Sequence, residues 1–276
     1  MKYTMKGIVD KSFETKMDLT RHIKKNIEGI YAIKKSIYKK GATVDLGNDY
    51  FNFLYEPKIN AKSSLIRIKT IINSTNVIDS HVDLHDFGTW NKTVKDNPFS
   101  AHLKTHKSEF ESLISNKAKS YNEVMNFKDL GLNIDRDFTA NINDLILDEK
   151  RQPFMFGKYM NGEVTQHSVG MLYVGLELAY YDEESEKNMD FFEKVKSKSI
   201  NPEIADEYGY VWLVSEAKKR EGSAVVFGSN GITPTLLIED YEPSKDTQSK
   251  GSRQFDTSNK AHNERELINF YKTILN

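Results

Sequence analysis

Three residue types that together can activate an oxygen nucleophile recur at separated places in this chain. Ser168 stands in "TQHSVGM", just before the apolar run "MLYVGLELAYY"; His106 closes "FSAHLKTHK"; Glu221 precedes "GSAVVFGSN". A serine hydroxyl is a weak nucleophile near neutral pH. It needs an imidazole within hydrogen-bond reach to take its proton, and that imidazole needs a third group to fix its tautomer. His102, expected on the same strand face as His106, competes for the second role, and Glu216, in a Ser-Glu-Ala setting, for the third. The G-x-S-x-G elbow of α/β-hydrolases is absent. A second constellation is "DSHVDLH", in which Asp79, His81, Asp83 and His85 alternate. In an extended strand they would share a face, and carboxylate with imidazole suits zinc or another divalent cation. Tetrahedral sites usually draw ligands from several elements, and the same residue types also suit an exposed loop.

The elements that must position these groups can be read from periodicity. Leu19, Ile23, Ile27, Ile30 and Ile33 are spaced by three or four, which predicts a helix over 17–39. "GNDYFNFLYEP" breaks it. "SSLIRIKTIIN" alternates as a strand, with Ile66, Ile68, Thr70 and Ile72 on one face. "TWNKTVKDN" reads as a short helix with Thr89 as N-cap and Pro98 beyond its end. "FSAHLKTHK" reads as a strand with His102, Lys104 and His106 on one face. A helix is expected near 119–130 and strands at about 153–160 and 164–181. A charged helical insert, 183–208, precedes two last strand regions, "YVWLVSEAKKREGSAVVFGS" and "TPTLLIED". On a strand, His167 would face away from Ser168, as a structural residue. The strands dominate without regular alternation with helices, so the expected class is α+β or mainly β. The expected division is a helical accessory segment over 1–60, a core over 61–240, and a flexible, apolar-poor linker over 241–263 leading to a short amphipathic helix, 264–275.

Composition bounds the partners. The chain has 276 residues and a formal net charge of −1 with 29% charged residues, so no protein-wide basic field for nucleic acid exists. The basic stretch 21–40 reads as the solvated face of a helix. There is no cysteine, which excludes cysteine nucleophiles and zinc thiolates and gives no sign of an oxidising compartment. No apolar run is long enough to cross a bilayer, and the first residues lack the apolar segment of a signal peptide. The expectation is a soluble protein with no membrane or nucleic-acid partner.

Taken in order, "IDSHVDLHDFGTWNKTVKDN", "HLKTHK", "QHSVGMLYVGLELA" and "YVWLVSEAKKREGSAVVFGSNGITPT" resemble the prohead serine proteases of tailed bacteriophages, which are related in fold to the herpesvirus assemblins. The resemblance runs from about 61 to 240 and is most specific at "HSVGM" and "EGSAVVFGSN". It implies an antiparallel, β-barrel-like core surrounded by helices, with Ser168 as nucleophile, His106 as general base and Glu221 as the group that orients it. His102 is the alternative base, and the backbone N–H groups of Val169 and Gly170 are the oxyanion-hole candidates. It implies no cofactor and no metal. The implied substrates are the scaffold protein, the N-terminal extension of the major capsid protein, and the protease itself, cleaved inside the procapsid in the host cytoplasm; a homodimer is the implied assembly. The competing readings are a non-catalytic scaffold or assembly protein on the same fold, and a metal-dependent hydrolase centred on Asp79–His85.

Overall fold

The structure, a computed structural model, describes residues 2–37 and 55–242. The 241–263 linker from residue 243 onward, the 264–275 helix and the 47–54 break lie outside the described residues. In chain order the elements are β1 (Tyr3–Met5), β2 (Val9–Phe13), α1 (Lys16–Ser36), β3 (Lys58–Asn60), β4 (Leu65–Ser74), β5 (Asp83–His85), α2 (Asn91–Asp96) and β6 (Phe99–Lys104). They continue with β7 (Leu113–Asn126), β8 (Asp137–Asp148), α3 (Pro153–Met160), β9 (Gln166–Tyr180), α4 (Glu186–Lys196), α5 (Glu203–Tyr208), β10 (Tyr210–Val225) and β11 (Thr235–Asp240).

The core is a nine-stranded mixed sheet in the order β3-β11-β4-β8-β7-β6-β10, with β5 and β9 also on β10; β1 and β2 form a separate hairpin. Most ladders are antiparallel; β10 runs parallel to β5 and β6, and β11 parallel to β3. The class is thus mixed α/β with a mainly β core, but not a closed barrel. No ladder joins the β3 end to β9 among the described residues, so hydrogen bonding never returns on itself.

β10 organises the sheet. It pairs along its length with β9, while its other edge is shared by β5 at Trp212–Val214 and β6 at Glu221–Ala224. The insert between β9 and β10 is two helices, α4 and α5. α1 is held by its apolar stripe: Leu19, Ile23 and Ile30 are buried in the same cluster as Trp90, Met171, Trp212 and Val214. At its end Lys34 is buried, 2.5 Å from Asp83 of β5, and its ammonium lies over the rings of Tyr173 and Trp212.

Three local expectations were reversed. Residues 119–126 belong to strand β7, where Ala118 and Ser120 alternate inward and both edges are paired, to β6 and β8. Residues 153–160 form helix α3, which starts on Pro153 and buries Met155, Phe156 and Tyr159, a helical rather than alternating spacing. Thr89 does not cap α2: its single hydroxyl proton is shared between the carbonyls of Asp86 and Val214, and the cap position falls to Trp90.

Removing one partner of a buried ion pair strands the other charge. Lys34→Met is therefore expected to destabilise the protein by about 3–5 kcal/mol in urea unfolding. A loss below about 1 kcal/mol would show that the pair contributes no more than a surface contact.

Candidate active site

The site is assembled on the end of β10 that lies between β6 and β9. Glu221 and Ser223 are two residues apart on β10 and so project from one face of the sheet. Ser168 of β9 is the direct cross-strand partner of Ser223, and Gly170 that of Glu221. Cross-strand partners share a face, with Cα atoms about 5 Å apart. Ser168, Glu221 and Ser223 therefore stand together.

His106 reaches the same place from the other side of β10, though not as a strand residue. β6 ends at Lys104, and Thr105 and His106 then take left-handed backbone angles, φ 52° and 57°. That conformation is costly for a β-branched threonine. It is held by bonds to β10: the Thr105 N–H donates to the Ala224 carbonyl (2.9 Å) and the His106 N–H to Ser223 Oγ (3.2 Å). The turn swings the imidazole over the sheet, where Nδ1 lies 2.6 Å from Glu221 Oε1. Ser223 Oγ donates to the other carboxylate oxygen, Oε2, at 2.7 Å. His106, Glu221, Ser223 and Ser168 are all buried.

With Nδ1 on the carboxylate, Nε2 is the free face of the imidazole, and it is buried with no hydrogen-bond partner. The structure thus brings His106 and Glu221 into contact. It places Ser168 on the same face and one strand over, with no hydrogen bond between its hydroxyl and the imidazole. Serine–imidazole contacts that are long in the absence of substrate often tighten when it binds.

His102 was expected on the same face as His106; the left-handed turn separates them. His102 points to the opposite face of β6, fully buried, with Nδ1 3.1 Å from Asn143 Nδ2 and Nε2 3.3 Å from the Tyr159 hydroxyl. Tyr159 also lies 3.2 Å from His167 Nε2, and His167 Nδ1 meets the Thr233 carbonyl at 3.0 Å. At the other end Lys219 Nζ donates to Ser120 Oγ, which donates to Asn143 Oδ1 at 2.5 Å. The donors and acceptors fix the direction of the chain. Since the Asn143 amide donates to His102 Nδ1, His102 carries its proton on Nε2. Tyr159 accepts from it and donates to His167, which donates from Nδ1 to Thr233.

Every polar atom of His102 is used, and burial first, then the repulsion that His167, His106 and Lys219 exert in their charged forms, hold it well below the usual histidine range. With both ring nitrogens engaged on the opposite face, it is not placed to take a proton from Ser168. Burial likewise lowers His167 to about 4 against the opposing pull of the Thr233 carbonyl. Burial also lowers Lys219 to about 8, although Glu221 favours its charged form. His167 faces away from Ser168, as its place on a strand requires. Glu216, lower on β10, reaches Lys92 at 3.4 Å and takes no part.

The two oxyanion candidates differ. The His167 N–H points away from β10, to the Thr233 carbonyl. Backbone groups two apart on a strand face the same edge, so the Val169 N–H shares that edge, which no strand covers among the described residues. Gly170 faces the other way, into the ladder opposite Glu221. Val169 remains a candidate; Gly170 does not.

The Asp79–His85 constellation is broken up. Strand β5 covers only Asp83–His85, and Asp79 sits in a turn, accepting the N–H groups of His81 (2.8 Å) and Asp83 (3.1 Å). Val82 has φ 59°, so the residues do not alternate on one face. Asp83 is already engaged by Lys34 and by the Tyr173 hydroxyl. Among the described residues no group of three or more histidine or acidic side chains is arranged to hold a metal ion.

Beside Glu221 is an open depression of about 330 Å³ whose lining includes Ala101, Leu103, Phe110 and Leu113. Phe110, one of its lining residues, is 90% exposed. No described helix is long and apolar enough to cross a membrane. Sequence reasoning met Ser223 only as the serine of the Glu-x-Ser pattern that favours Glu221 over Glu216, with no role of its own, and did not find the chain from Lys219 to Thr233. The spacing of Ser223 from Glu221 was visible in the sequence; the chain joins six elements and the turn before β11 and has no local signature. The protein was also compared with family models, characterised proteins and solved structures, and none matched.

His102 and His167 exclude protons that the unfolded chain binds at about pH 6.5. Unfolding then takes up protons, so stability falls as pH drops from about 6.5 towards 4. His167→Gln is expected to flatten the fall in urea midpoint over this window relative to wild type. An identical slope in the two proteins would contradict the assignment of a neutral, buried His167.

Proposed function

We propose that this chain is a serine endopeptidase of the prohead-protease type. Ser168 is the nucleophile, His106 the general base and Glu221 the orienting carboxylate. The observation that carries the reading is the buried His106–Glu221 pair, whose Nε2 is free on the face where Ser168 stands. The order of motifs along the chain supports it, since histidine, serine and glutamate occur as they do in that family.

The chemistry follows from the geometry. As Ser168 Oγ bonds to the scissile carbonyl carbon, its proton passes to His106 Nε2. Glu221 stabilises the resulting imidazolium through Nδ1 without taking the proton itself. The carbonyl electrons move to oxygen, and the Val169 N–H on the uncovered edge of β9 is the donor we assign to that oxyanion. Collapse breaks the C–N bond, and the leaving amine takes the proton from His106. Water, activated by the same imidazole, then releases the acyl group from Ser168.

The substrates we infer are the scaffold protein and the capsid-protein extension of a procapsid, together with this chain itself, on an assemblin-like core acting inside the procapsid, with a homodimer as the assembly. A non-catalytic assembly protein on the same fold is the second reading, favoured by the missing hydrogen bond between Ser168 and His106.

The test is to produce the full chain, wild type and Ser168→Ala, with the major capsid and scaffold proteins of the same phage, and follow intact masses. Wild type is expected to trim itself or its partners. Ser168→Ala should fold normally and lose turnover by about 10⁴–10⁶-fold. Equal, uncut masses in both under assembly conditions would favour the assembly protein.

A further inference from the structure

We propose that Ser223 is a positioning residue of the site, the side chain that turns Glu221 towards His106 and holds the His106 turn in its strained form. The catalytic part of this inference rests on the protease reading; the structural part does not. Its basis is one buried hydroxyl used twice. Ser223 Oγ donates to Glu221 Oε2 at 2.7 Å and accepts the His106 N–H at 3.2 Å. A carboxylate on a flexible glutamate has several rotamers. With Oε2 fixed from its own strand, Oε1 is left for Nδ1 of His106, at 2.6 Å. The second bond satisfies a backbone donor in a turn where both Thr105 and His106 have positive φ. An alanine there would leave the His106 N–H unpaired in a buried place and the carboxylate free to rotate.

The alternative role, nucleophile, does not fit. The Ser223 hydroxyl faces a carboxylate, not the free imidazole nitrogen, and its proton is already committed to Glu221. Ser168, its cross-strand neighbour, has no such commitment. A serine two residues after the glutamate is therefore required by the pleat, since only that position shares the face of Glu221 and still reaches the turn after β6.

The experiment uses the isotopically labelled full chain. His106→Gln identifies the Nδ1–H resonance, which a short bond to carboxylate moves far downfield. Ser223→Ala is expected to lose or broaden that resonance, and Ser223→Thr, which keeps the hydroxyl, to retain it. In a cleavage assay Ser223→Ala is expected to lower kcat by on the order of 10–100-fold with KM little changed, and Ser223→Thr to restore most of it. If Ser223→Ala does not fold, Ser223→Cys is read in the same way. An unshifted resonance in the folded Ala or Cys variant overturns the proposal, whatever the cleavage assay gives. A lost resonance in a protein whose Ser168→Ala variant cleaves as well as wild type would keep Ser223 as the positioning residue and overturn the protease reading instead.

Discussion

The His106–Glu221 hydrogen bond is the contact on which the site depends, and it spans two elements that are neighbours only because of β10. Glu221 is fixed in the middle of a ladder, opposite Ala101 on one side and Gly170 on the other. His106 comes from the turn that leaves β6, pinned to β10 through Thr105 and Ser223. A one-residue slip of β6 against β10 would carry the turn away from Glu221. A slip of β9 would send Ser168 to the opposite face, because side chains alternate with a period of two. The register of three strands thus determines whether a nucleophile, a base and a carboxylate meet.

The two faces of these strands have opposite electrostatic tasks. One face carries His106 and Glu221, a pair able to share charge. The other carries the hydrogen-bonded chain from Lys219 through Asn143, His102 and Tyr159 to His167, in which burial keeps the imidazoles neutral. Gly222 lies between the two. A Cβ there would sit 2.3 Å from Asn143 Nδ2, so the strand can approach the buried chain only where it has no side chain. Gly228 has the same role for the turn after β10, where a Cβ would meet the His167 carbonyl at 2.8 Å. The buried chain fixes the strands from behind, with each of its polar atoms satisfied.

Much of the scaffold was legible in the sequence where local pattern and tertiary environment agree. Leu19, Ile23 and Ile30 gave α1, and the alternation of Ile66, Ile68, Thr70 and Ile72 gave β4, all of them buried. The pattern failed where they disagree. β7 is rich in lysine and asparagine and becomes a strand only because β6 and β8 flank it. α3 is a short apolar run whose period can be told only once Pro153 is recognised as its first residue. At the site, His106, Glu221 and Ser168 were named from motif order, and the contact between the first two appears in the fold. The separation of His102 from His106 was not legible, because nothing in "HLKTHK" announces two consecutive left-handed residues without glycine. The same limit applied to "DSHVDLH", where the turn at Asp79–Val82 destroys an alternation that exists only on paper.

The most direct test of the account is chemical reactivity of the serine. A fluorophosphonate reacts with a serine hydroxyl that a neighbouring imidazole activates, and with ordinary serines hardly at all. The full chain would be treated with such a reagent near neutral pH, digested, and mapped by mass spectrometry, with His106→Ala as the control. The expected result is one phosphonyl adduct per chain, on Ser168, abolished by His106→Ala. An adduct on Ser223, no adduct on any serine, or one on Ser168 that persists without the His106 imidazole would contradict it.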